Sequence, residues 1–471
     1  MLRFAKRAIQ TAPVSAARPL AGTTYASAAL PSPTQITRLP NGFTVASETI
    51  PGAETATVGI FLDAGSRFET PKTNGAAHFC EHMFFKGSKA HSQLALEKGI
   101  EDIGAHLNAY TSREQTVFYA KAMKHHVAKS VDLLGDILLN STFEQQAIDR
   151  ERDVILRESV EVDKNKEEVV FDHLHSIAFQ GNGLGMTILG PNENIKSLTR
   201  EDLLDYVKEN YTPERMVLSA AGGVSHSELV AQAKSLFGGM KTGTGRAELA
   251  KASFTGSDLR ARFDNHPTAH IVMAVEGVSW THPRYFPLLV MQSIIGSWSR
   301  SMGASSHASS SLAQVLKAQP YKSFGYLANS FMAFNTSYTD TGLFGIYAET
   351  EAFTYLDDLV HHIQREWHRL ALNVGEAEVF RAKNQLKTAL LMSLDGSTPI
   401  CEDIGRQVLT YGKRFTPQEI DAAIEAVTVK DVMETAAEFI WDRELSVVGY
   451  GPVEGLQDLN RMRAAMTPNY Y

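Results

Sequence analysis

The chain of 471 residues is 44% hydrophobic and 21% charged with a formal charge of -8, so it can bury more than one core and is too acidic to favour nucleic acid. No run of about 18 uninterrupted apolar residues occurs, which argues against a membrane-spanning helix, and the mean hydropathy of -0.17 agrees. Two cysteines, Cys80 and Cys401, exclude a disulfide framework and lack the paired spacing of a thiolate metal site.

Residues 1–30 carry Arg3, Lys6, Arg7 and Arg18 among Ser, Thr and Ala, and the first acidic residue is Glu48. Arg3, Lys6 and Arg7 share one face of a helix, apart from Leu2, Ala5 and Ile9. This is the composition of a mitochondrial transit peptide, with a disordered basic tail as the alternative. Its removal takes four positive charges from a net -8 and leaves -12, a body that attracts basic ligands.

Next, TQITRLPNGFTVASET reads as two strands around the Asn41-Gly42 turn, and TATVGIFLDAGS as a third. Helical periodicity covers Gly75–Phe85 and Leu94–Ile103, extended segments follow in AHLNAYTSRE and TVFYAKAM, and helix returns over His125–Leu139 and Ala147–Phe179. MVLSAAGGV is a strand and Ser225–Phe237 a helix, before a Gly/Thr/Lys-rich connection at 238–254. The order then recurs, with HIVMAVEGVS as strand, FPLLVMQSIIGSW as helix, SFMAFNTSYTDTGLFGIYAET as paired strands and long helices to about Ile440. The expected fold is α+β, with two similar domains of ~200 residues, each a mainly antiparallel sheet covered by helices, joined by a flexible linker. The units are 36–237, expected to be catalytic, and 255–471, expected to be non-catalytic because it has no H-x-x-E-H.

The chemistry concentrates in His78-Phe79-Cys80-Glu81-His82. Two histidines at i and i+4 share a helix face and can bind one Zn²⁺, with Glu81 beside them. A catalytic zinc takes a third protein ligand, and the helix ERDVILRESVEVDK offers several carboxylates. With Glu158 standing 76 residues after His82, HFCEH and ERDVILRE together resemble the inverted zinc-peptidase family of pitrilysin and insulysin. The resemblance implies that His78, His82 and Glu158 hold one Zn²⁺ per chain and that Glu81 is the general base toward the attacking water. Glu151, two turns before Glu158, is counted with Glu81 in the catalytic set as a partner that orients a ligand histidine; an ordinary solvated helix charge is its other reading.

GAHLNAYTSREQTVFYAKAM, EEVVFDHLH, LGPNENI and LLMSLDGSTPICEDIGRQ narrow the resemblance to the branch that removes targeting presequences in mitochondria as two homologous subunits. It implies a zinc endopeptidase of the mitochondrial matrix whose partner is an α subunit with a glycine-rich loop; the nearest stretch here, SMGASSHASSSL, is serine-rich. It also implies that Glu168 and Asp172, four apart on the helix of Glu158, recognise an arginine of basic presequence peptides, although such a pair is otherwise a solvated acidic face. Phe85 would contact the residue after the cleavage site, with core packing as the alternative, and Asn108, Ala109 and Tyr110 would lie in an edge strand that pairs with substrate. The competing expectation is a structural core subunit of respiratory complex III, contacting its other subunits, and the two roles are compatible in one chain. GNGLGMTILGPNE lacks the lysine of a phosphate loop, and the pairs His125-His126, His173 with His175, and His361-His362 turn to different helix faces.

Overall fold

The computed structural model describes residues 34–243, 249–302, 310–318 and 326–467. The expected leader, 1–30, lies outside the described residues, as does most of the serine-rich stretch.

The first half runs β1 (Gln35–Arg38), β2 (Thr44–Thr49), β3 (Thr55–Leu62), α1 (Ala76–Phe84), α2 (Gln93–Glu101), β4 (His106–Thr111), β5 (Thr116–Met123) and α3 (Val127–Asn140). It continues through α4 (Gln145–Val162), α5 (Lys166–Ala178), α6 (Asn192–Ser197), α7 (Arg200–Asn210), β6 (Met216–Gly222) and α8 (His226–Phe237). The second half runs β7 (Ser257–Arg262), β8 (Ala269–Glu276), α9 (Tyr285–Ile295), β9 (Ser297–Ser299), α10 (Ser311–Ala318), β10 (Ser330–Ser337) and β11 (Gly342–Thr350). It closes with α11 (Leu356–Leu372), α12 (Glu376–Met392), α13 (Ser397–Tyr411), α14 (Pro417–Glu425), α15 (Val429–Phe439), β12 (Ser446–Gly451) and α16 (Leu459–Ala464).

Each half builds a six-stranded sheet, in the orders β1-β2-β6-β3-β5-β4 and β7-β12-β8-β11-β10-β9. Five strands correspond: β2-β6-β3-β5-β4 and β7-β12-β8-β11-β10 share both order and pairing, a parallel first pair followed by antiparallel ones. The α+β fold of two similar halves is therefore as the sequence leads one to expect. The sixth strand differs: β1 extends the first sheet beyond β2, whereas β9 covers the outer edge of β10. No described strand pairs with the outer edge of β4, so that edge remains open to another extended chain.

One expected helix is in fact two. Asp163, Lys164 and Asn165 separate α4 from α5, and Asn165 is extended, with φ -82° and ψ 96°. Asp and Asn are weak helix formers whose side chains compete for backbone groups, and Glu167 and Glu168 favour the new helix start through its dipole. Glu168 and Asp172 thus stand on α5, not on the helix of Glu158, which corrects the sequence-based expectation.

The halves also exchange helices. One face of each sheet is covered by helices of its own half, but the other face of the first sheet is closed by α13, whose Cys401, Ile404 and Val408 pack on Phe61, Val117 and Val217. Gly405 is required there, since a Cβ would lie 2.3 Å from the Phe61 ring. Reciprocally, α5 lays Val170, Leu174 and Ala178 against Val272, Ala274, Leu343 and Val448 of the second sheet. Polar contacts follow the same path, with Ser219 Oγ donating to Cys401 O at 2.7 Å and Tyr338 hydroxyl 2.6 Å from His175 Nε2. The connection between halves has no helix or strand over 238–243 and 249–256, yet it is tied down, because Ala252 is buried and its N–H donates to Asp340 at 2.8 Å.

Candidate metal centre

The helix that carries the histidines is anchored at its first turn. Gly75 takes φ +105° ahead of α1, and a Cβ there would meet Leu189 O at 2.8 Å. Buried Glu69 accepts from the backbone N–H groups of Gly75 at 2.9 Å and Ala77 at 2.6 Å, and from Asn74 Nδ2 at 2.7 Å. A carboxylate on these otherwise unpaired donors fixes where α1 begins and which side its third residue faces.

His78 and His82, one turn apart with ring centroids 4.8 Å from each other, face α4. Glu158 Oε2 lies 3.3 Å from His82 Nε2 and 3.7 Å from His78 Nε2. The possible ligand atoms of the three residues fall within 4.8 Å of one another, and among the described residues no other group of three His, Cys, Asp or Glu side chains does so. Glu158 Oε2 is buried and accepts no well-directed hydrogen bond, although two imidazole nitrogens surround it. A polar atom so placed is costly unless a cation completes the cluster, so two imidazoles and one carboxylate fit a zinc-type ion. Burial, helped by the neighbouring His82, pushes His78 down to about 4 despite the opposing Glu158, leaving the neutral imidazole that a metal requires.

Glu151 is buried behind His82, its Oε2 3.3 Å from His82 Nδ1 and its Oε1 2.8 Å from Lys86 Nζ. A proton on Nδ1 directed at Glu151 would leave the Nε2 lone pair for the cluster, the geometry expected of a residue that orients a ligand histidine. Burial lowers the His82 pKa, but Glu158, Glu151 and Glu81 outweigh it and hold it above the usual histidine value. Glu151→Ala is expected to weaken zinc binding about 10–100-fold, measured by competition with a chelator of known affinity.

Glu81 lies between the histidines in sequence and is turned toward β4, where Thr111 Oγ1 donates to its Oε2 at 2.5 Å. Burial raises its pKa and the Thr111 bond only partly offsets this, so the carboxylate is a stronger base than an exposed one. Sequence reasoning did not single out Thr111 or Lys86. Thr111 acts across a strand-to-helix contact and carries no local mark, whereas the spacing of Lys86, four residues after His82, was a usable signal.

Of the expected substrate contacts, Asn108, Ala109 and Tyr110 lie on β4. The Ala109 N–H donates to Asn108 Oδ1 at 2.9 Å, and Tyr110 sits under the Arg406 guanidinium, 5.8 Å from its ring centre. Phe85 packs partly into the core beside Phe118, at 6.0 Å between rings, and lines a cavity of about 80 Å³ with Leu96, Ile100 and Leu107. On α5, exposed Glu168 accepts from Asn165 Nδ2 at 2.8 Å, while Asp172 already pairs with Arg113 at 2.6 Å.

Residues 44–192 match the family model for insulinase, peptidase family M16, and 197–386 match the model of the peptidase M16 inactive domain. The chain belongs to peptidase family M16. Among its relatives, the M16 chain is 56% identical to the mitochondrial-processing peptidase subunit beta of Blastocladiella emersonii, with 94% of both chains covered. It is 52% identical to the same subunit of Bos taurus, covering 92% of this chain and 87% of that one. A chain in the solved structure titled Complex III2 from Candida albicans, Inz-5 bound, superposes with a TM-score of 0.81 at 30% identity, covering 92% of this chain and all of that one. The M16 assignment makes this a metal-dependent peptidase, and the inactive-domain match, 197–386, begins ahead of α7 in the first half and runs through much of the second, which has no H-x-x-E-H.

Proposed function

We propose that this M16 chain is the catalytic, zinc-binding subunit of a peptidase that removes N-terminal presequences from proteins imported into the mitochondrial matrix. The observation that carries the reading is the convergence of His78, His82 and Glu158 beside Glu81, in a chain more than half identical to processing-peptidase beta subunits over nearly its whole length. Residues 36–237 form the catalytic unit and 255–471 the non-catalytic one, and 1–30 are the chain's own leader. One Zn²⁺ per chain, held by His78, His82 and Glu158, would polarise the scissile carbonyl and acidify a water.

The other steps fall to the protein. An extended substrate aligns along the open edge of β4, where the Ala109 N–H changes partner from Asn108 Oδ1 to a substrate carbonyl. Glu81, steadied by Thr111, takes a proton from the attacking water and passes it to the leaving amine. Glu168 receives a presequence guanidinium, and Asp172 joins it only by sharing or releasing Arg113. A homologous α-type subunit with a glycine-rich loop completes the enclosure.

The test is cleavage of a presequence peptide by the chain alone and with an α-type partner, with zinc and with chelator. Cleavage requiring both partner and zinc is the expected result; zinc-loaded, partnered enzyme that leaves the peptide intact refutes it. In the same assay Glu168→Lys should depress kcat/KM for an arginine-containing presequence at least about tenfold more than for its alanine analogue. Equal losses would assign Glu168 to folding. The likeness to a chain of a complex III2 structure favours a second, compatible role as a core subunit on the matrix face of the inner membrane. No described helix is long and apolar enough to cross a membrane, so such a role would rest on other subunits.

A further inference from the structure

The turn that joins β4 to β5, residues 112–115, begins immediately after Thr111, the residue bonded to Glu81. Its backbone is strapped to the segment after β3. The Ser66 N–H donates to Ser112 O at 3.3 Å and the Arg67 N–H to Arg113 O at 2.8 Å, and Gly65 is so close that a Cβ would lie 2.3 Å from Ser112 O.

The side chains then reach the other half of the molecule. Arg67, only 4% exposed, donates through Nη1 to Glu114 at 2.6 Å, and through Nη1 and Nη2 to both oxygens of Asp340 at 2.8 and 2.7 Å. Asp340 stands in the turn between β10 and β11. Glu114 accepts in return from the Thr339 N–H at 3.1 Å, and Asp340 from the Ala252 N–H at 2.8 Å. One guanidinium thus faces two carboxylates, each of which also accepts from a backbone N–H, with Arg67 and Glu114 buried and Asp340 partly exposed. The two-pronged bond to Asp340 fixes the plane of the guanidinium, and neutralising Asp340 leaves Arg67 paired with Glu114 alone and able to turn.

We infer that Asp340, supplied by the half that lacks the zinc motif, is a positioning residue for Glu81. It acts through Arg67 and Glu114 on the β4–β5 turn and so on the Thr111 hydroxyl that orients the base. This deepens the proposed function and rests on Glu81 being the base. The second half, which supplies no reacting group, thus helps to orient the base as well as to enclose the substrate.

The test uses full-length Asp340→Asn, Asp340→Glu, Thr111→Val and the double variant Asp340→Asn/Thr111→Val, each zinc-loaded and partnered. Asp340→Asn is expected to lose about 10–100-fold in kcat with KM within about twofold and zinc content unchanged, since only orientation in the transition state is lost. Asp340→Glu should recover most of the rate, and the double variant should be no slower than Thr111→Val alone, as two steps of one route must be. Wild-type kcat in Asp340→Asn, or losses that multiply in the double variant, would overturn the inference. Hydrogen exchange provides an arm independent of peptide cleavage: Asp340→Asn should speed exchange across 106–123 and leave α1 and α4 protected. Unchanged exchange in that hairpin, or acceleration spread over the whole chain, refutes the latch even if the proposed substrate proves wrong. A wild-type enzyme that does not cleave presequences, together with the local exchange change in Asp340→Asn, refutes only the proposed function.

Discussion

Glu81→Gln is expected to bind zinc as the parent does and to cleave a presequence peptide about 10³-fold more slowly. The amide has the shape of the carboxylate and can still accept from Thr111 Oγ1, so neither α1 nor the contact to β4 is disturbed. What it cannot do is take a proton, and a positioned general base contributes about 10²–10⁴-fold. The loss should appear equally in kcat and kcat/KM, because the interaction exists only in the transition state. Metal analysis and steady-state kinetics on one preparation decide the matter. A zinc-loaded Glu81→Gln enzyme with parental kcat would remove Glu81 from the mechanism.

His82→Ala should remove zinc and activity together. The change deletes one of three converging ligand atoms and leaves Glu158 Oε2 near His78 alone, at 3.7 Å. A group that merely orients a ligand is worth about 10–100-fold in affinity, so the ligand itself should cost more than ~100-fold. Zinc content should fall from one per chain to almost none at equimolar metal. Glu151 keeps its partner Lys86 at 2.8 Å, and His82 is partly exposed, so the metal-free fold should survive, as circular dichroism would register. Full zinc content in His82→Ala would mean that other groups hold the ion. The pair of variants separates the proton-transfer role from the ligand role, which neither does alone.

Some of this was legible without a structure because it depends on spacing along one element. His78, Glu81 and His82 fall within about one helical turn, and the helix that places them follows from local periodicity. The strands β1, β2, β3, β5 and β6 show their alternation or apolar runs, and the recurrence of the same order in the second half marks it as a copy. Glu158 was reached through resemblance to a family, not through spacing, since several carboxylates on α4 were equally placed.

What the linear order left open was every decision made between elements. The break at Asp163–Asn165 moved Glu168 and Asp172 to a separate helix, because three polar residues outweighed the helical pattern on either side. The exchange of α5 and α13 between sheets could not be read, since an apolar helix face does not say which sheet it will cover. Asp172 was already committed to Arg113, Glu81 depended on Thr111, and Arg67 bridged to Asp340 across 273 residues. By itself the sequence determined many of the secondary elements, the doubled α+β plan and the two-histidine motif, all consequences of periodicities within a few residues. Tertiary structure alone decided which carboxylates are free, which described strand edge stays open and how Asp340 of the second half meets Arg67 of the first, because these rest on side chains meeting from distant parts of the chain in a packed interior.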